Sequence, residues 1–241
     1  EDLLHNLDLI NSRIKNACDK AGRNPDEVKL LLATKTVPAE IIKIVLENGH
    51  PLIAENKVQE LKEKYEDLKD TPHENHFIGH LQTNKIKDIL KYEVRCVQSL
   101  DRLELAEKLH QRLVQEEKTI DVLIQVNTSG EESKFGVHPD HAVDLVQKVA
   151  VFSTIKIKGL MTIGLFSAEA EKVRACFRLL KNLQQEIIQQ NIPNVEMKEL
   201  SMGMSGDLET AIEEGSTIVR VGTAVFGARV YPDSYYWDEE K

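Results

Sequence analysis

Eight short β-rich apolar runs, each followed by a stretch of helical pattern, leave this chain few folds to choose from. The runs are VKLLLATK (28–35), PLIAEN (51–56), HFIGH (76–80), VRCVQSL (94–100), IDVLIQVNT (120–128), IKIKGLMTIG (155–164), EMKELSMG (196–203) and TIVRVGTAVFG (217–227). Strands this continuously apolar belong to parallel sheets covered on both faces. Between them lie segments rich in Glu, Lys, Leu and Ala. PAEIIKIVLENG opens at Pro38 and stops at Gly49, and DRLELAEKLHQRLVQEEK offers Asp101 as a cap. Strict alternation over 241 residues describes one α/β domain, a single (β/α)8 TIM-type barrel. The rival is an open doubly wound sheet, which usually carries a glycine-rich turn after its first strand. Here that turn is ATKTVPAE, without glycine. Residues 1–27 read as an additional N-terminal helix packed outside the barrel or across its bottom, and 228–241 as a C-terminal tail.

The chain carries 31 basic and 40 acidic residues, a net charge of −9, which argues against a nucleic-acid surface. Three scattered cysteines, Cys18, Cys96 and Cys176, fit neither a disulfide framework nor a metal spacing, so a reducing, cytoplasmic setting is expected. No apolar run approaches the ~20 residues that cross a bilayer. The start is acidic and amphipathic, unlike a signal peptide. It opens on Glu1 rather than methionine, the mark of a trimmed start that leaves an upstream segment open.

A barrel builds its site at the C-terminal ends of its strands. Strand one ends in Lys35, directly after LLLAT. A lysine there can snorkel to water. Held among apolar neighbours, it becomes an amine of lowered pKa that attacks carbonyls. After strand seven, SMGMSGDLETAIEEG offers Ser201, Ser205 and backbone N–H groups to an anion, or simply caps a helix. In strand eight, Arg220 interrupts an apolar run and needs an acceptor, a glutamate ion pair being one candidate. Gly222 and Thr223 follow with the composition of a phosphate pocket. Barrel closure sets strand eight beside strand one, about 4.8 Å away. An amine for an aldehyde, an arginine for a ring nitrogen and a turn for a phosphate together describe pyridoxal 5′-phosphate.

LLLATKTVP, AENKVQE, HFIGHLQTNK, VNTSGEESKFGV, KGLMTIG and LSMGMSGDLETAIEEGSTIVRVGTAVFGAR resemble the pyridoxal phosphate homeostasis proteins (YggS/PROSC family) over nearly the whole chain. The resemblance implies the barrel found in the N-terminal domain of alanine racemases. It also implies that Lys35 forms a Schiff base with the cofactor and that Asn56 lies near the ring. Arg220 would then meet the pyridine nitrogen, while Ser201, Gly222 and Thr223 hold the phosphate, with Met204 and Ser205 in the same motif. Two positions depart from the family pattern: Ala54 where members often carry glycine, and Gly206 where they often carry aspartate.

The role so implied is non-enzymatic. The protein would hold the cofactor as an exchangeable aldimine, act in vitamin B6 and amino-acid homeostasis, and have apo-enzymes using the same cofactor as recipients. The alternative is an amino-acid racemase with Lys35 as one base. Racemases of this fold take a second base, a tyrosine, from an additional β-domain, whereas only VYPDSYYWDEEK follows the barrel here. Tyr231, Tyr235 and Tyr236 read as an acidic-aromatic tail. A third reading, a phosphosugar enzyme with a Schiff-base lysine, needs carboxylates converging on Lys35, and Glu55 is the obvious candidate. His73, His76 and His80 span a loop and a strand, so no metal site is expected. KVQELKEKYEDLK reads as a solvated outer face. GEESKFGV reads as a rim loop whose Ser133 and Lys134 are possible ligand contacts.

Overall fold

The structure, a computed structural model, describes residues 2–227. Eight parallel strands close into a barrel in sequence order: β1 (Lys29–Ala33), β2 (Leu52–Glu55), β3 (Glu74–Phe77), β4 (Cys96–Leu100), β5 (Ile120–Gln125), β6 (Ile155–Met161), β7 (Val195–Ser201) and β8 (Ile218–Val221). The helices are α1 (Asp2–Lys20), α2 (Ala39–Glu47), α3 (Val58–Leu68), α4 (Ile86–Lys91), α5 (Leu103–Glu116), α6 (Ala142–Val149), α7 (Ala170–Gln189), α8 (Leu208–Glu213) and α9 (Thr223–Phe226).

The strands bury both faces toward the end that carries Lys35, which is why they read as apolar there, while Glu74 of β3, Lys156 and Lys158 of β6 and Glu196 and Lys198 of β7 break the pattern toward the other end. Outward residues such as Leu32, Ile53 and Val219 pack under the helices, and fully burying one such side chain stabilises by about 1.5–3 kcal/mol. Inward residues Leu31, Leu52, Ala54, Cys96, Leu123, Met161 and Ile218 fill the interior.

The additional helix lies outside. Leu7, Ile10 and Ile14 of α1 join the cluster containing Leu208, Ile212 and Val225, so α1 packs on α8 and α9 and not across the bottom. Two local readings need correction. The strand read as 217–227 ends at Val221, because Gly222 (φ −125, ψ −86) turns the chain into α9. Asp101 does not cap α5; Arg102 occupies that position, while Asp101 accepts from Arg102 Nη1 at 2.9 Å and from the Gly136 N–H at 3.1 Å.

Closure fixes the level of the strand ends. Leu31 stands opposite Arg220 and Leu32 opposite Val221. Lys35, three residues beyond Leu32, therefore leaves the same end of the barrel as Gly222 and Thr223.

Candidate functional site

Lys35 is 5% exposed although it lies beyond the last residue of β1. It forms part of the wall of a cavity of about 440 Å3 at this end of the barrel, with Asn56, Lys57, Ile78, Gly79, His80, Gln82, Gln125, Phe135 and Ile163. That volume suits a small ligand or cofactor. A β-carbon at Gly79 would fall 2.0 Å from the Asn56 carbonyl oxygen, so glycine is what lets these two walls meet.

The turn carrying Lys35 is held from both sides. Thr34 Oγ1 donates to Glu55 Oε1 at 2.7 Å, and Lys64 Nζ donates to the Thr34 carbonyl and to Glu55 Oε2, each at 2.7 Å. Beyond Lys35, the Thr36 N–H donates to Glu60 Oε1 at 2.5 Å. Thr36 has φ 65, a strained conformation for a β-branched residue. Burial raises the Glu55 carboxyl from 4.5 to about 7, opposed by Lys64, whereas Glu60 adds to the rise.

These contacts correct two readings. The α3 segment is not simply a solvated face, because Lys64 and Glu60 turn inward to hold the Lys35 turn. Both Glu55 oxygens are engaged by Thr34 and Lys64, which removes the carboxylate that the phosphosugar reading needed.

Arg220, 6% exposed, does not form the glutamate pair considered for it. Nη1 donates to Ser201 Oγ at 2.7 Å and Nη2 to the Thr162 carbonyl at 2.8 Å. Burial lowers its pKa to about 10, opposed by Asp207, and leaves a cation at neutral pH. Of the eight sequence-derived site residues, Lys35 and Asn56 line the cavity. Arg220 adjoins it through Thr162, whose neighbour Ile163 is in the wall.

The rest stand on the β7–β8 side. Ser201, fully buried, donates to Gln98 Oε1 at 2.6 Å. The Met204 N–H donates to Asp207 Oδ1 at 2.7 Å, and the Ser205 carbonyl accepts from Arg13 Nη2 at 2.6 Å. Arg13 also grips both Glu209 oxygens, at 2.6 and 2.8 Å, so α1 braces this segment. Gly222 and Thr223 open α9, where the first N–H groups of a helix have no acceptor within it.

Sequence reasoning missed Gln125, Ile163, Phe135 and the stacking of Phe135 on His80, ring centroids 3.9 Å apart. The rim loop supplies Phe135 to the cavity, while Lys134 pairs with Glu131 at 3.6 Å. Of the three nearby histidines, His76 points into the barrel onto Gln98 and His73 turns back onto the Thr71 carbonyl. Among the described residues no cluster of His, Cys, Asp or Glu could hold a metal, and no helix is long and apolar enough to cross a membrane.

Residues 5–230 match the family described as alanine racemase, N-terminal domain. The pyridoxal phosphate homeostasis protein of Aquifex aeolicus is 46% identical over 225 residues, covering 93% of this chain and 97% of that protein. The protein of the same name from Escherichia coli is 37% identical, covering 95% and 98%. Among solved structures, PipY of Synechococcus elongatus with PLP bound superposes with a TM-score of 0.78 at 29% identity, covering 89% of this chain and all of that one. Alanine racemase of Clostridium difficile shares the fold, with a TM-score of 0.73 at 15% identity, and 57% of its chain is covered.

Proposed function

Because the chain belongs to the alanine racemase N-terminal domain family, and within it to the pyridoxal phosphate homeostasis proteins, we propose that it binds pyridoxal 5′-phosphate through Lys35 and keeps it exchangeable without turnover. The observation that carries this reading is the placement of Lys35. A buried amine lines a cavity of cofactor size and leaves the barrel level with the Gly222–Thr223 turn. The donor set fits the group: a primary amine, a charged guanidinium one residue from the wall, and a helix start for an anion.

When bound, the cofactor supplies an aldehyde carbon and a conjugated ring. The chain's own residues do the rest. Lys35 presents Nζ, and the Thr34–Glu55–Lys64–Glu60 clamp fixes the turn that carries it. Asn56, in the same cavity wall, would lie beside the ring. Arg220, protonated at neutral pH, would donate to the ring nitrogen and so disfavour a proton there, leaving the ring a weaker electron sink. Gly222 and Thr223 would hold the phosphate end, with Met204 and Ser205 in the neighbouring loop after β7, while the Ser201 hydroxyl, taken up by Arg220 and Gln98, would hold Arg220 in place. Apo-enzymes that use the cofactor are the recipients, within a reducing cytoplasm that suits three buried free cysteines.

The test is a titration with pyridoxal phosphate followed by visible absorbance, then transfer to an apo-enzyme, with amino-acid α-hydrogen exchange measured in deuterated solvent. Saturable binding, transfer and no exchange at turnover-like rates are expected. Rapid α-deuteration would favour the racemase reading, and failure to titrate would overturn cofactor binding.

A further inference from the structure

A chain of hydrogen bonds crosses the barrel interior from Arg220 to the opposite mouth. Arg220 Nη1 meets Ser201 Oγ at 2.7 Å, and Ser201 Oγ meets Gln98 Oε1 at 2.6 Å. Gln98 Nε2 meets His76 Nδ1 at 2.8 Å, and His76 Nε2 meets Glu74 Oε2 at 3.3 Å. Gln98 and Ser201 are fully buried, and His76 is 7% exposed. Glu74 lies at the lower mouth, its side chain 51% exposed.

Donor chemistry gives this chain one direction. A guanidinium has no lone pair, so Ser201 accepts from Arg220 and must give its single proton to Gln98 Oε1. The Gln98 amide then turns Nε2 toward His76, whose Nδ1 must carry a lone pair. The ring proton sits on Nε2 and points at the Glu74 carboxylate. Flipping Gln98 would leave the Ser201 proton without an acceptor. The Ser201 end of the chain therefore selects the orientation.

Gln98 and Ser201 cross a layer that also holds Leu31, Leu52, Cys96, Leu123, Met161 and Ile218, and only the His76 end reaches the charged lower mouth of Lys29, Glu74, Arg95, Asp121 and Glu199. Buried polar groups there cost desolvation, and well-packed apolar side chains stabilise a core at least as well. Stability alone gives no reason for a fully buried glutamine that links Ser201 to His76. We propose that Gln98 and His76 are positioning residues: through Ser201 they fix the plane in which Arg220 presents its guanidinium to the cofactor ring. The role rests on the cofactor reading above; the direction of the chain does not.

The direction is read on the cofactor-free wild type by long-range 15N–1H NMR of the His76 imidazole. A lone pair on Nδ1 with the proton on Nε2 is expected, and a proton on Nδ1 would overturn the chain. The role is read by pyridoxal phosphate titration of Gln98→Leu, His76→Phe and His76→Asn, with thermal melts alongside. Gln98→Leu and His76→Phe should raise the dissociation constant about tenfold and shift the visible band. His76→Asn, whose Oδ1 can stand in for Nδ1, should restore most of both. Folded His76→Phe with wild-type affinity and spectrum would overturn the role, even if Gln98→Leu fails to fold. Wild type that binds no pyridoxal phosphate would sink the proposed function, while the NMR result would still decide the direction of the chain.

Discussion

Lys64 Nζ stands 2.7 Å from Glu55 Oε2 and 2.7 Å from the carbonyl oxygen of Thr34, so one ammonium on α3 ties β2 to the residue before Lys35. The pair is nearly dry, with side chains 11% and 1% exposed. A buried pair contributes little over an apolar replacement, yet breaking one half leaves an uncompensated charge. Here it also holds a turn in position.

Lys64→Met should therefore destabilise the fold by about 3–5 kcal/mol where Glu55 stays ionised, and by less at lower pH where Glu55 takes a proton, read by urea unfolding at several pH values. Adding Glu55→Gln should recover part of the loss, a coupling of about 1–3 kcal/mol in the double-mutant cycle. Strictly additive effects would mean that the pair does not act as a unit.

Glu55 also gives the fold a pH dependence. Burial raises its carboxyl from 4.5 to about 7, with Lys64 opposing, so the folded state binds the proton more tightly than the unfolded state. The stabilisation is complete below 4.5 and is lost as the pH rises to about 7. Wild type should lose stability across that window relative to Glu55→Gln. Parallel stability curves for the two would contradict the environment described for Glu55.

Gly79→Ala puts a methyl group 2.0 Å from the Asn56 carbonyl oxygen, where only backbone can give way. Overpacking of this kind costs about 1–3 kcal/mol. Cofactor affinity should fall more than stability does, because the shift moves Asn56 in the cavity wall. A variant with unchanged affinity would show that Asn56 is not a contact.

Much of this was legible in the sequence. The apolar runs betray parallel strands because most of their residues are buried on both faces, and Lys35 stands out because it ends one of them. Lys64 was hidden: in KVQELKEKYEDLK it is one charge among many, and only the position of β2 beneath α3 reveals that it turns inward. Gln98 lies in VRCVQSL, where the adjacent polar pair Gln98 and Ser99 in a buried strand is the available signal. Phe135 gave no periodic signal in its loop; it reaches the cavity by stacking on His80. The extent of β8 was overread because VGTAVFG stays apolar past Gly222, whose backbone turn the apolar pattern does not reveal.

Arg13 links α1 to the segment after β7 through Glu209 and the Ser205 carbonyl. The Arg13–Glu209 pair is partly exposed, with side chains 37% and 44% accessible, so Arg13→Ala should cost on the order of 1 kcal/mol at most. Its larger effect should be on cofactor affinity, through the loosened Ser205 loop. Equal affinity in titrations of variant and wild type would separate α1 from the phosphate end.

The central claim is that Lys35 carries the cofactor. Borohydride reduction of the pyridoxal phosphate-loaded protein, followed by peptide mapping, tests it most directly. The account predicts one pyridoxyl adduct on the peptide containing Lys35, absent from Lys35→Ala. The same adduct in Lys35→Ala, or a reduced label on Lys57 or Lys134 in the wild type, would contradict it.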